Sequence, residues 1–82
     1  MMLSAEITLY PLQDDYLPVI KAFLEQLKEK GAVTFQTFPT CTVMMGDYDL
    51  VLKTIGEMMR WSHETHGKGV FVVKFLPGYE AL

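Results

Sequence analysis

The chain has one cysteine, Cys41, and no apolar segment long enough to cross a membrane. A single thiol cannot form an internal disulfide, and chains without disulfides are typical of reducing compartments. A membrane-spanning helix needs about 20 consecutive apolar residues. The first residues also lack the basic stretch followed by a long apolar one that marks a secretion signal. We therefore expect a cytoplasmic protein that does not insert into membranes.

Positive charge is also scarce. Seven Lys and Arg residues stand against ten Asp and Glu residues, the net charge is −3, and no run of basic residues occurs. Nucleic acids and anionic membrane surfaces are recognised through clustered Lys and Arg side chains. The composition therefore predicts no nucleic-acid partner.

The side-chain combinations of common catalytic and metal sites are missing too. His63 and His66 are three residues apart, but no third strong ligand stands nearby, and the histidines of the metalloprotease motif are four apart. Neither histidine can be placed beside Cys41, which favours a small buried residue over a nucleophile. No general base with an orienting partner can be identified. We predict no metal, no cofactor and no enzymatic activity.

Apolar residues, in contrast, make up half of the 82 residues. A chain of this length forms one domain, residues 1–82, with a high ratio of surface to volume. Some apolar surface should therefore remain available to a partner.

The hydrophobic pattern predicts the order strand, helix, strand, strand, helix, strand. Strands are expected at residues 4–10, 33–38, 40–45 and 70–76, with Pro11 ending the first and Gly46 the third. Amphipathic helices are expected from about residue 16 to Gly31 and from about 48 to 66. The predicted fold class is α+β, a ferredoxin-like βαββαβ sandwich in which two helices cover one face of a four-stranded antiparallel sheet.

Helix ends and faces can also be predicted. Asp14 or Asp15 is expected to cap the first helix, and Asp47 the second. One face of the second helix should carry the residues that cover the sheet, namely Val51, Ile55, Met58, Met59 and Ser62. Leu50 and Trp61 fall on another flank, which is either a contact surface or has no role.

Strand alternation places polar residues on the uncovered sheet face. The residues expected there are Glu6, Thr8, Tyr10, Thr34, Gln36, Phe38, Thr40, Thr42, Met44, Val70, Val72 and Lys74. Cys41, Val43 and Met45 are expected under the helices instead. The uncovered face is too apolar for full solvation and too polar for a core, so we expect a subunit interface that encloses a small polar cavity.

Two interpretations of this face remain open. Glu6 and Lys74 should be opposite each other on neighbouring strands, either as an ion pair or with Glu6 accepting from a ligand's amino group or ring nitrogen. The threonines either simply favour strands or converge with Gln36 to bind the edge of a flat ring. Tyr10 or Phe38 would stack on such a ring.

The opening strand, Ser4-Ala5-Glu6-Ile7-Thr8-Leu9-Tyr10-Pro11-Leu12, resembles that of the thiamine and hydroxymethylpyrimidine binding proteins typified by Ykof. The stretch from Asp15-Tyr16 to Ile20 is similar to the family's first helical turns, and Thr42-Val43 to Gly46 to its third strand. Residues 69–75 fit more loosely. Cys41, Met44 and Met45 depart from the family pattern.

The resemblance implies a ferredoxin-like fold whose sheets pair, so that this single domain forms a homodimer or a tetramer through its open sheet face. By position it implies seven ligand-binding residues: Glu6, Thr8, Tyr10, Gln36, Phe38, Thr40 and Thr42. Of these, Thr8, Tyr10 and Thr42 stand in motif positions.

Together, residues and resemblance predict a non-enzymatic binding protein for thiamine or its hydroxymethylpyrimidine moiety, acting in uptake, salvage or sensing. On this hypothesis, replacing Glu6 with Gln weakens ligand binding more than folding. The alternative is an oligomerisation or regulatory module whose open sheet face is only a subunit interface.

Overall fold

Four strands and two helices follow one another along the chain in the order that the sequence predicts. The computed structural model describes all 82 residues. Its elements are β1 (Met2–Pro11), α1 (Leu17–Lys30), β2 (Thr34–Thr37), β3 (Thr42–Asp47), α2 (Tyr48–His66) and β4 (Gly69–Pro77). The strands form one antiparallel sheet in the order β2-β3-β1-β4. The ferredoxin-like α+β prediction is confirmed. Neither helix combines the length and apolarity needed to cross a membrane.

Helix α1 buries one stripe of side chains. Val19, Phe23 and Leu27 are four residues apart and are all buried, because this spacing brings them to the same side of a helix. The helix ends at Gly31, whose φ of 60° is the left-handed conformation that glycine adopts without a steric penalty. The expected aspartate cap is not formed. The N-cap is Tyr16, which makes no side-chain hydrogen bond to the helix.

Helix α2 begins where the sequence predicts, but the set of residues that it buries against the sheet differs from the predicted set. The carboxylate of Asp47 accepts a hydrogen bond from the Leu50 amide at 3.4 Å, which confirms the expected cap. The prediction that Met59 covers the sheet is wrong, because its side chain is 40% exposed. Thr54 is buried in the covering face instead.

Strand β1 continues through Pro11, contrary to the expected break. Hydrogen bonds join β1 to β4 beyond both ends of the ladder, from the Gly78 amide to the Met2 carbonyl and from the Leu12 amide to the Lys68 carbonyl. Backbone groups alternate in direction along an antiparallel strand, so the even-numbered residues of β1 bond to β4. The nitrogen of Pro11 therefore points to the other side, where β3 has already ended at the Ile7–Thr42 pair.

The register of β3 differs from the predicted one by one residue. The loop between β2 and β3 contains residues 38–41, so Thr37 pairs with Thr42 and Gln36 with Val43. Across β1, Ala5 is opposite Met44. Residues directly opposite each other share a face, so Thr42 and Met44 lie under the helices, while Val43 and Met45 lie on the open face.

The core lies between the sheet and the two helices. Its nine buried hydrophobic residues are Leu3, Ala5, Ile7, Phe23, Leu27, Met44, Val51, Ile55 and Met58. Met44 is opposite Ala5 of β1 on one side and Phe35 of β2 on the other. It has no exposed surface.

The register gives a stability prediction. Met44→Ala should lower the free energy of unfolding by about 2–5 kcal/mol, since it leaves a cavity among packed side chains. Met45→Ala on the open face should cost less than half as much. Denaturant unfolding of both variants measures this difference. Equal losses, or a larger loss for Met45→Ala, would contradict the register.

Candidate functional site

The uncovered face of the sheet brings Glu6 and Lys74 together. They are opposite each other in the β1–β4 ladder, as predicted, and Lys74 Nζ lies 3.9 Å from Glu6 Oε1. The side chain of Lys74 is 69% exposed and that of Glu6 is 42% exposed. Solvent therefore weakens their attraction in this single chain. Gln36 and Thr34 also lie on this face, at the β2 edge.

Apolar side chains occupy one end of the same face. Tyr10 is opposite Val70, and Thr8 is opposite Val72. Tyr10, Val70 and Val72 are 55%, 45% and 56% exposed, respectively. A contiguous exposed patch of this kind is typical of a surface that meets a partner.

The C-terminal residues cover the other end of the open face. The hydroxyl of Ser4 donates to the Tyr79 carbonyl and accepts from the Ala81 amide at 3.0 Å. Ser4 has no exposed surface as a result. The accessible part of the open face therefore extends from Glu6 towards Tyr10.

A cavity of about 90 Å³ lies at the end of the sheet, between α1, the last residues of β1 and the loop joining β2 to β3. Its walls combine aliphatic and aromatic side chains with four threonines. The lining residues are Ile7, Thr8, Leu9, Ile20, Phe23, Leu24, Thr37, Phe38, Pro39, Thr40, Cys41 and Thr42. None of them is charged.

The cavity exists because β1 extends beyond β3. After the Ile7–Thr42 pair, β1 continues for four residues bonded only to β4. The vacant side is closed by the loop of residues 38–41, in which the Phe38 amide donates to the Cys41 carbonyl at 2.8 Å. Thr8 Oγ1 donates to the Thr40 carbonyl at 3.1 Å, which ties this loop to β1.

Hydroxyl groups supply most of the side-chain polarity of the cavity. Thr37 Oγ1 and Thr42 Oγ1 lie 3.5 Å apart, at the outer limit of a hydrogen bond. Thr42 is 8% exposed, whereas Phe38 is 41% exposed. Each hydroxyl can donate one hydrogen bond and accept others. The arrangement therefore suits a small flat ring with polar atoms at its edge.

The structure divides the seven predicted ligand residues between two places. Thr8, Phe38, Thr40 and Thr42 line the cavity. Glu6, Tyr10 and Gln36 are on the open face and do not contribute to the lining.

Several lining residues were not predicted as site residues. Thr37 could have been found from its pairing with Thr42, had the loop length been known. The contribution of Ile20, Phe23 and Leu24 had no sequence signal beyond the apolar face of α1.

The two histidines lie elsewhere, in the last turn of α2. The ring of His66 packs edge-on against Trp61, with 5.4 Å between centroids and an angle of 80°. No group of three or more His, Cys, Asp or Glu side chains could hold a metal ion. The interaction with His66 gives Trp61 a packing role.

The fold and the cavity define a ferredoxin-like module with a small uncharged pocket at one end of its sheet. The model of the YKOF-related family matches residues 2–75, and the chain belongs to that family. Comparison with curated proteins gives no match.

Solved structures share the fold. A Streptococcus pneumoniae protein superposes with a TM-score of 0.85 at 21% identity, over 96% of this chain and 89% of its own. A Thermotoga maritima protein described as a putative thiamine biosynthesis/salvage protein superposes with a TM-score of 0.82 at 19% identity. The match covers 99% of this chain and 86% of that protein. A hypothetical protein from Methanocaldococcus jannascii superposes with a TM-score of 0.79 at 23% identity, and the match covers 99% of this chain and 84% of that protein. At these identities the likeness shows the fold alone.

Proposed function

We propose that the protein binds thiamine or its hydroxymethylpyrimidine moiety, without catalysis, and acts in thiamine uptake, salvage or sensing. The observation that carries this proposal is the threonine-lined cavity at the end of the sheet. Membership of the YKOF-related family supports it. The structural likeness to the Thermotoga maritima protein assigned to thiamine biosynthesis or salvage agrees with it.

The size of the cavity selects one part of the ligand. An apolar cavity that holds benzene measures about 150 Å³, and this one measures about 90 Å³. It is therefore smaller than a cavity that holds one ring, so on this proposal the loop of residues 38–41 moves outward to admit a single ring. The pyrimidine enters, and the thiazolium of thiamine stays at the mouth.

The lining matches a neutral aminopyrimidine. Thr42 and Thr37 can bond to ring nitrogens, and the Thr40 carbonyl can accept from an amino group. Phe38 lies at the mouth, where its ring can stack on the ligand. An uncharged ring requires no counter-charge in the cavity, and the net charge of −3 favours a cationic thiazolium outside it.

Thr42→Val tests the cavity. It removes a buried hydroxyl and keeps the side-chain shape, so affinity for thiamine or hydroxymethylpyrimidine should fall about tenfold, equivalent to one lost hydrogen bond of about 1.4 kcal/mol. Isothermal titration calorimetry measures the change. Thr34→Val, at an exposed position of β2, is the matched control and should bind like the wild type. Absence of heat with both ligands at millimolar concentration in the wild-type protein would overturn the proposal.

Glu6→Gln distinguishes the cavity from the open face. Glu6 does not line the cavity, so binding there should change less than twofold in the same titration. A tenfold or greater loss, with unchanged unfolding, would instead place the ligand on the open face, where the sequence pattern predicted it.

The alternative function, an oligomerisation or regulatory module, is favoured by the apolar end of the open face. Tyr10 and Val72 are more than half exposed there, beside Val70. We expect this face to form a homodimer whether or not the cavity binds a ligand, since pairing would remove those side chains from water.

Tyr10→Lys tests this interface. A charge at an exposed position should leave the free energy of unfolding almost unchanged and shift the open-face dimer to smaller species, because burying the ammonium is costly. Light scattering across a concentration series detects the shift, with Gln13→Lys in the following loop as the control. Identical assemblies for wild type and Tyr10→Lys would rule out an interface at this end of the face.

A further inference from the structure

The loop of residues 38–41 is the wall of the cavity that lies on the surface of the protein. Phe38, Pro39 and Thr40 are exposed, and Cys41 is half-buried. The Phe38 amide donates to the Cys41 carbonyl, so this backbone bond closes the loop on itself and does not fasten it to β1. The loop can therefore move relative to β1 without losing its own turn.

One hydrogen bond fastens the loop to β1. Thr8 Oγ1 donates to the Thr40 carbonyl at 3.1 Å. Thr8 follows the last pair between β1 and β3, which is Ile7 with Thr42, so no ladder bond holds the loop at this level of the sheet. A single hydrogen bond between neutral groups shifts an equilibrium by about three- to tenfold. One side chain therefore supplies a modest restraint that keeps the loop closed.

The bond between Thr8 and Thr40 and a ring in the cavity exclude each other. The cavity measures about 90 Å³, and a cavity that holds benzene measures about 150 Å³. Ile7 and Phe23 line the cavity as members of the buried core, so the additional room must come from the loop. A lengthening of about 0.5 Å takes the two bonded oxygens beyond hydrogen-bonding distance. Admission of a ring therefore breaks this bond.

We propose that Thr8 acts as a latch on the empty cavity and opposes ligand entry, rather than holding the ligand. This rests on the proposed function, the binding of an aminopyrimidine in the same cavity. A ligand that binds only the open form has an apparent affinity lowered in proportion to the fraction of the protein that is open. Once the loop opens, the Thr40 carbonyl has lost its donor, and the amino group of the ligand replaces the Thr8 hydroxyl.

The latch gives Thr8 the opposite effect from that of a ligand-binding residue. The resemblance to the thiamine-binding proteins implies that Thr8 binds the ligand, so that loss of its hydroxyl weakens binding. A hydroxyl that stabilises the closed loop has the reverse effect, because its loss increases the open fraction and strengthens binding. The sign of the change in affinity therefore separates the two roles.

The thiol of Cys41 reports on the loop without any ligand. Cys41 is the only cysteine of the chain, and it lines the cavity. Modification by an aromatic disulfide reagent depends on how often the loop exposes this thiol. Thr8→Val keeps the side-chain shape and should raise the modification rate about three- to tenfold. Thr8→Ser, which keeps the hydroxyl, and Thr34→Val, on β2, should each react like the wild type. Equal rates for Thr8→Val and the wild type would overturn the latch.

Isothermal titration calorimetry with hydroxymethylpyrimidine gives the second readout. Thr8→Val should bind about three- to tenfold more tightly than the wild type, and Thr34→Val should bind equally well. Unchanged binding by Thr8→Val would overturn the latch, and weaker binding would make Thr8 a ligand-binding residue. Absence of binding by the wild type would instead overturn the proposed function. The thiol rates, measured without ligand, would then still decide whether Thr8 holds the loop.

Discussion

The pairing of β1 with both of its neighbours is the constraint on which the rest of the structure depends. β1 is hydrogen-bonded to β3 on one side and to β4 on the other, and its odd-numbered residues Leu3, Ala5 and Ile7 are all buried. A shift of one residue would turn these side chains to the open face and bring Glu6 into the core. The helices can cover the sheet only in the observed register, because only that register presents an apolar surface to them.

The unequal lengths of the two ladders produce the candidate site. β1 and β4 remain paired to the Pro11–Gly69 pair, while β1 and β3 stop at Ile7–Thr42. The chain must close the vacant side of β1 with something other than a strand, and it uses the loop of residues 38–41, held by the Thr8 hydroxyl. A loop seals such a gap less completely than a strand, which leaves a cavity where α1 spans it. The same gap explains how Pro11 is accommodated in β1.

Features that depend on a local sequence pattern are predictable from the sequence. The alternation of apolar and polar residues in β1 and β4 correctly predicted that Glu6 is opposite Lys74. Asp47 correctly predicted where α2 begins, and Gly31 where α1 ends. The face of β3 could not be obtained in this way, because Thr42-Val43-Met44-Met45 has apolar residues on both faces. Its orientation depends on whether the loop before it has an even or odd number of residues. The cavity was harder still to predict, since its walls come from β1, α1 and the hairpin of β2 and β3, which are distant from one another in the sequence.

The cavity and the exposed apolar end of the open face are separate places on the molecule. The cavity lies between α1 and the end of the sheet, and its lining includes neither Tyr10 nor any residue of β4. A partner that contacted the open face at Tyr10 and Val70 would therefore not touch the lining of the cavity. Thr8 connects the two regions, because it lies on the open face while its hydroxyl holds that loop. A contact on the open face that displaced the Thr8 side chain would break the one side-chain hydrogen bond between β1 and this loop.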